Sequence, residues 1–156
     1  MHQSRIDLPD NTRKAMIALL NARLADALAL RMIFKQAHWN VKGPNFIALH
    51  EMFDQMHGRV SGFVDEIAER AVTLGGVVDG TPAAAANSKL EAYPATITAQ
   101  EEHLKALADR VATFAKLSRQ AIDAADEAGD KDTADLFTGV SKQMDMDLWF
   151  LEAHLQ

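Results

Sequence analysis

The chain contains no cysteine, which excludes disulfides, thiolate metal sites and cysteine nucleophiles. It also lacks long apolar runs. The opening stretch MHQSRIDLPDN has no signal-peptide core, and no segment approaches the roughly 20 apolar residues that cross a membrane. A cytoplasmic protein without membrane contact is therefore expected. An excess of positive charge is missing too: 16 Lys and Arg stand against 22 Asp and Glu, for a net charge of −6. That balance argues against a surface that attracts nucleic acid everywhere and suits one that gathers cations. No convincing strand pattern occurs. What remains, 156 residues with 48% hydrophobic content, is enough for one domain with a proper core, spanning 1–156 with a short N-terminal arm over 1–10.

Helical periodicity fills the chain. A first helix is predicted after Leu8-Pro9, with Asp10 or Asn11 as N-cap and Ile17, Leu20, Leu24 and Leu28 as its core stripe. It runs to about Asn40, where Lys42-Gly43-Pro44 breaks it. The second helix carries Phe46, Leu49, Phe53, Met56, Val60, Phe63 and Ile67 at alternating spacings of three and four, and stops at Gly75-Gly76. A long connection follows through Asp79-Gly80-Thr81-Pro82, an alanine run and Tyr93-Pro94, with room for one short helix around Ser88–Ala92. Thr98 and Glu101 read as a capping box for the third helix, striped by Leu104, Leu107, Val111, Phe114 and Ile122. After Gly129 a fourth helix starts near Asp130 or Asp132 and carries Phe137, Val140, Met144, Leu148, Leu151 and Leu155. Four long helices with one long connection in the middle describe an all-α, ferritin-like four-helix bundle.

The second helix carries the chemistry. His50 and Asp54, then Asp65 and Glu69, are two i, i+4 pairs, each able to project two ligands from adjacent turns. At about 100° per residue the four lie at about 0°, 40°, 60° and 100° around the helix, while Asp54 and Asp65 are about 16 Å apart along its axis. One metal centre cannot reach both pairs on one helix. If they belong to one site, two copies of the chain must build it. Between the pairs lie Gly58, Ser61 and Gly62; helical glycine costs about 1 kcal/mol relative to alanine, so two of them imply close approach of another backbone. A two-fold axis near residues 58–62 would set Asp65 and Glu69 of one subunit opposite His50 and Asp54 of the other, twice. Asp54 and His57 could instead form a surface ion pair. His38, beside Trp39 at the end of the first helix, offers a further nitrogen donor. Mixed imidazole and carboxylate ligands suit iron, manganese or zinc.

The segments KQAHWNVKGPNFIALHEMFD and DEIAERAVTLGG, with the closing GDKDTADLFTGVSKQMDMDLWFLEAHL, resemble the Dps family, the DNA-binding proteins from starved cells or mini-ferritins. The likeness covers all four helices, and its AHWN-to-AER part is highly specific. It implies ferroxidase ligands His38, His50 and Asp54 from one subunit, with Asp65 and Glu69 from its two-fold mate. It further implies a hollow homo-dodecamer that oxidises Fe(II), preferably with hydrogen peroxide, and stores ferric mineral without haem. Trp39 matches the family's tryptophan near the site, where stray radicals are intercepted. Ordinary ferritins place their di-iron site inside one bundle and need Glu-x-x-His motifs; none occurs in this chain.

The ends depart from the best-known family pattern. DNA-binding members commonly use a lysine-rich tail that neutralises phosphates, whereas the first eleven residues here hold one basic side chain, Arg5, beside His2, Asp7 and Asp10. DNA is expected to be a weak partner at most. A nucleoid-compacting stress protein in which iron oxidation is secondary stands as the alternative to a ferroxidase and iron store. The acid-rich junction of the third and fourth helices contains Asp123, Asp126, Glu127, Asp130, Asp132 and Asp135. Capping needs only one of these. In the family, acidic residues of this segment line three-fold pores, and Asp126, Asp130 and Asp135 are the best matches for an iron-access pore.

Overall fold

A computed structural model describes residues 1–156 as five helices: α1 Asp10–Asn40, α2 Phe46–Thr73, α3 Pro82–Ala85, α4 Gln100–Glu127 and α5 Lys131–Ala153. The four long helices are those read from the periodicity. α1 packs chiefly on α2, and α4 on α5, so two helical hairpins lie together and bury one continuous core. Each long helix contributes one fully buried phenylalanine, namely Phe34, Phe53, Phe114 and Phe137. Truncating any one of these to alanine would cost about 3–5 kcal/mol. No helix is long and apolar enough to cross a membrane.

Several local expectations are corrected. α1 begins at Asp10 with Pro9 in the N-cap position and no side-chain cap; Asp10 instead pairs with Arg13 at 2.5 Å. Arg13 then donates to the Leu74 carbonyl, tying the start of α1 to the end of α2. The Thr98–Glu101 capping box does not form. Ala99 is the N-cap of α4, the Thr98 carbonyl accepts from Lys42 N, and Glu101 pairs with Lys105. The short helix lies earlier than Ser88–Ala92, at Pro82–Ala85, with the Thr81 side chain accepting from Ala84 N. Phe46 is exposed and Ile17, Phe63, Ile122, Leu148 and Leu155 are only half-buried.

Two tight turns matter for the site. Gly43, with φ +148°, lets the chain reverse between α1 and α2 against the Gln100 side chain, which a Cβ would meet at 2.6 Å. Gly75, with φ +91°, stops α2. The N-terminal arm is docked there: His2 N donates to the Gly75 carbonyl at 2.7 Å, and Ile6 and Leu8 pack on the core. The long connection is held by polar side chains of the bundle. Asp26 accepts from Lys89 N, and Arg110 donates to the carbonyls of Glu91 and Ala92.

Candidate metal centre

The reversal at Gly43 brings the last turn of α1 beside the first turns of α2, so residues twelve apart in sequence meet. The rings of His38 and His50 stack with centroids 3.6 Å apart and planes at 21°. His38 Nδ1 lies 2.7 Å from the His50 carbonyl, and His50 Nδ1 lies 2.8 Å from the His38 carbonyl. A carbonyl only accepts, so each Nδ1 carries the hydrogen and donates it. Each neutral ring then keeps its lone pair on Nε2, with its orientation fixed by backbone. Such an outer hydrogen bond selects tautomer and direction for a metal-ligating imidazole.

Asp54 stands one turn beyond His50 and shares an open cleft of about 500 Å³ with His38, His50, Ile47, Glu51 and Gln55. Its carboxylate is paired with Lys35, and that hydrogen bond, ahead of the more distant charges, holds the Asp54 carboxyl below the usual aspartate range. The alternative ion pair to His57 is not made; His57 Nδ1 donates to the Arg31 carbonyl instead. Lys35 was not singled out in the sequence, although it precedes His38 by three residues and so shares its face of α1. A cation arriving at Asp54 must displace this ammonium or share the carboxylate with it.

Asp65 and Glu69 are exposed on α2 and lie farther along the helix, with Glu69 lining a separate cleft beside Ala68, Val72, Thr73 and Val78. Within one subunit no group of three or more such side chains is arranged to hold a metal ion. The subunit thus presents two separate groups of candidate ligands: two oriented imidazoles with a carboxylate at one end of α2, and two carboxylates toward the other. Gly58 and Gly62 between them face open space. Trp39, beside His38, is 63% exposed.

The bundle interior offers no competing centre. Between α2 and α5, Asp147 is fully buried and accepts from Arg59 at 2.6 and 3.1 Å and from Gln143 at 3.0 Å. An arginine placed there opposes cation binding.

The acidic junction resolves into separate roles. Asp130 is 1% exposed and caps α5 through Thr133 N. Its other contacts are Thr133 Oγ1 and Arg70. The expectation that it lines a pore is corrected, because both of its oxygens are engaged in a buried network. Asp126, paired with Lys131, and Asp135 remain exposed.

The sequence profile of the ferritin-like domain matches residues 17–156. The chain is 47% identical to the DNA protection during starvation protein of Agrobacterium fabrum, over 99% of this chain and 96% of that one. It is 33% identical to the protein of the same name from Mycolicibacterium smegmatis, over 96% and 81%. Among solved structures, DpsC from Streptomyces coelicolor superposes with a TM-score of 0.94 at 29% identity, covering 99% and 91% of the two chains. Dps from Mycobacterium smegmatis does so with 0.94 at 32%, covering 99% and 94%. The fold therefore defines a protein of the ferritin-like class. Within that class the chain belongs to the Dps family.

Proposed function

We propose that this chain is a subunit of a Dps-type ferroxidase and iron store, with its catalytic sites shared between two subunits. The observation that carries this reading is the reciprocal His38–His50 lock, which aims two Nε2 lone pairs into a cleft shared with Asp54. His38 and His50 supply nitrogen to ferrous iron, Asp54 supports a second position, and Glu69 of the partner subunit, or Asp65 of the partner subunit with it, completes the shell as the bridging carboxylate. Carboxylates favour the ferric product electrostatically, while the imidazoles keep the site neutral enough for the ferrous ion to bind. Two ferrous ions give one electron each to one hydrogen peroxide, whose O–O bond breaks. Together with water this yields ferric oxyhydroxide and four protons. The product is stored inside a shell of twelve subunits, protecting against oxidative damage, and Asp126 and Asp135 line the iron-access pore.

The test is the double substitution Asp65→Ala with Glu69→Ala, followed by optical measurement of ferrous oxidation with peroxide and with oxygen. Fast oxidation is expected to disappear while particle mass is retained. Initial rates equal to wild type would overturn the assignment.

The relatives' name favours a second reading, nucleoid binding with iron oxidation secondary. It ranks lower because the N-terminal arm, with Arg5 as its single basic side chain apart from histidine, is docked on Gly75 rather than extended. Phosphate neutralisation needs several free cations.

A further inference from the structure

Outside the iron site lies a pair of side chains that the site does not use. Tyr93, the only tyrosine of the chain, places its hydroxyl 2.7 Å from Nδ1 of His103. His103, on α4, is fully buried, and its Nε2 has no hydrogen-bond partner. The polar groups nearest its ring include the carbonyls of Ile97 and Asn40, which only accept. Nε2 therefore carries the hydrogen in the neutral ring, and the Tyr93 hydroxyl donates to the Nδ1 lone pair. Asn40 closes α1 two residues after His38, so the pair stands against the same helix end as the metal ligands.

Pinning the connection explains part of this arrangement, because Arg110 holds Glu91 and Ala92 nearby. It does not explain why the partner of the phenol is a buried imidazole, a base able to take the phenolic proton. A phenol hydrogen-bonded to a neutral imidazole can lose an electron and its proton in one event. We propose that Tyr93 and His103 form a proton-coupled electron donor that quenches one-electron oxidants arising at the iron site. This rests on the ferroxidase reading for the source of the oxidant.

The chemistry balances. A single ferrous ion that meets peroxide alone gives it one electron, and the O–O bond breaks into hydroxide and hydroxyl radical. Tyr93 gives one electron to the radical, producing a second hydroxide, while the phenolic proton crosses to His103 Nδ1. A neutral tyrosyl radical and an imidazolium remain. An electron from another ferrous ion and the proton from His103 then restore the tyrosine. The sum is two ferrous ions oxidised and one peroxide reduced to two hydroxides, as in the paired reaction, with no radical released.

The surroundings favour coupled over stepwise loss. Burial pushes the Tyr93 hydroxyl well above the ordinary phenol range, so the proton does not leave alone. The Arg110 guanidinium, 5.7 Å from the ring centroid, opposes a cationic tyrosine radical, so the electron does not leave alone either. Burial lowers the His103 pKa, so the ring is neutral at rest and its Nδ1 lone pair faces the phenol.

Iron-free assembled protein is oxidised by light with a ruthenium tris-bipyridine sensitiser and persulfate, in wild type, Tyr93→Phe and His103→Phe. A tyrosyl signal, seen by absorption and by electron paramagnetic resonance, can come only from Tyr93. The wild type is expected to give it, with a slower rate in deuterium oxide, and Tyr93→Phe is expected to lack it. His103→Phe should form it about a hundredfold more slowly, the low end of what a positioned proton acceptor contributes. No tyrosyl in the wild type, or equal rates with and without the imidazole, would overturn the pair. In a second arm, ferrous iron below one ion per site is mixed with peroxide and frozen. Oxidised iron without a tyrosyl signal overturns the quenching role even if the light-driven arm succeeds. Failure of the iron to oxidise at all overturns the ferroxidase reading and the quenching role with it, while the light-driven arm still decides the pair.

Discussion

At the residue scale, Asp147 shows how the bundle interior is arranged against metal and what that arrangement costs. Its Oδ2 has no hydrogen-bond partner, and burial outweighs the attraction of Arg59 and the bond from Gln143, holding the carboxyl above the ordinary aspartate range. The folded protein therefore holds this proton more tightly than the unfolded chain does. Below the ordinary aspartate value of about 3.9 both states are protonated and nothing is lost. As pH rises through the raised folded value, the penalty of a buried charge appears and stability falls, then levels off. Asp147→Asn keeps the shape without the charge. Its stability relative to wild type, from equilibrium denaturation, is expected to improve as pH rises from about 4 and then to level off. A difference that stays flat, or moves the other way, would show that Arg59 outweighs burial. His38 and His50 illustrate the opposite use of polar groups: each ring nitrogen facing the protein is spent on a backbone carbonyl, so the nitrogen facing the cleft is free for chemistry.

At the scale of elements, the junction of α4 and α5 separates structural carboxylates from available ones. Asp130 caps α5 and also meets Arg70, itself 14% exposed. Asp130→Ala removes the cap and the nearest carboxylate of the half-buried Arg70, leaving it Thr133 Oγ1 and the more distant Asp132, and is expected to cost about 3 kcal/mol. Asp130→Asn keeps a good capping side chain and should lose less. Iron uptake should be unchanged in Asp130→Asn but slowed when Asp126 and Asp135 are both made asparagine; the reverse pattern in stopped-flow uptake at low iron would return Asp130 to the pore. The same comparison marks what the sequence could disclose. The stripe Leu49, Phe53, Met56, Val60 and Ile67 was legible because helical burial is local and periodic, and all five are fully buried. The i, i+4 spacing of His50 with Asp54 and of Asp65 with Glu69 is local in the same way. The Thr98–Glu101 box failed because a distant strand-like bridge, Lys42 to Ala99, claims the Thr98 backbone. The Thr81-Pro82 start of α3 had a readable cap and a proline at N1, but a four-residue helix is too short for periodicity to register. Lys35 and the His38–His50 lock depend on how the Gly43 turn sets one helix against another, which no local pattern encodes.

At the scale of the whole molecule, α2 carries the marks of a two-fold contact along its length. On the azimuth used for the ligands, Ile47 and Val72 fall at about 60° and 40°, on the same face, and both are large apolar side chains left 61% and 52% exposed. The midpoints of Ile47 with Val72, His50 with Glu69, Asp54 with Asp65, and Gly58 with Ser61 all fall between Arg59 and Val60. An antiparallel pairing about that point covers apolar side chains at both ends, brings the smallest residues together at the centre, and closes the ligand set twice. Coincidence of these pairs on one centre, three of them independent because both candidate ligand pairs are spaced four apart, is what an isologous interface requires. Gly62 is the position at which to test it. A Cβ there meets nothing within 4 Å in the subunit, and replacing a helical glycine with leucine favours the helix by up to about 1 kcal/mol. Gly62→Leu should therefore leave the subunit folded while wedging the two helices apart. The expected result is smaller species in analytical ultracentrifugation, or intact shells whose ferrous oxidation is slowed, with every ligand still present. A variant that assembles into wild-type particles and oxidises iron at the wild-type rate would remove the glycine packing from the interface. Wild-type protein that sediments only as monomer would remove the shared site itself.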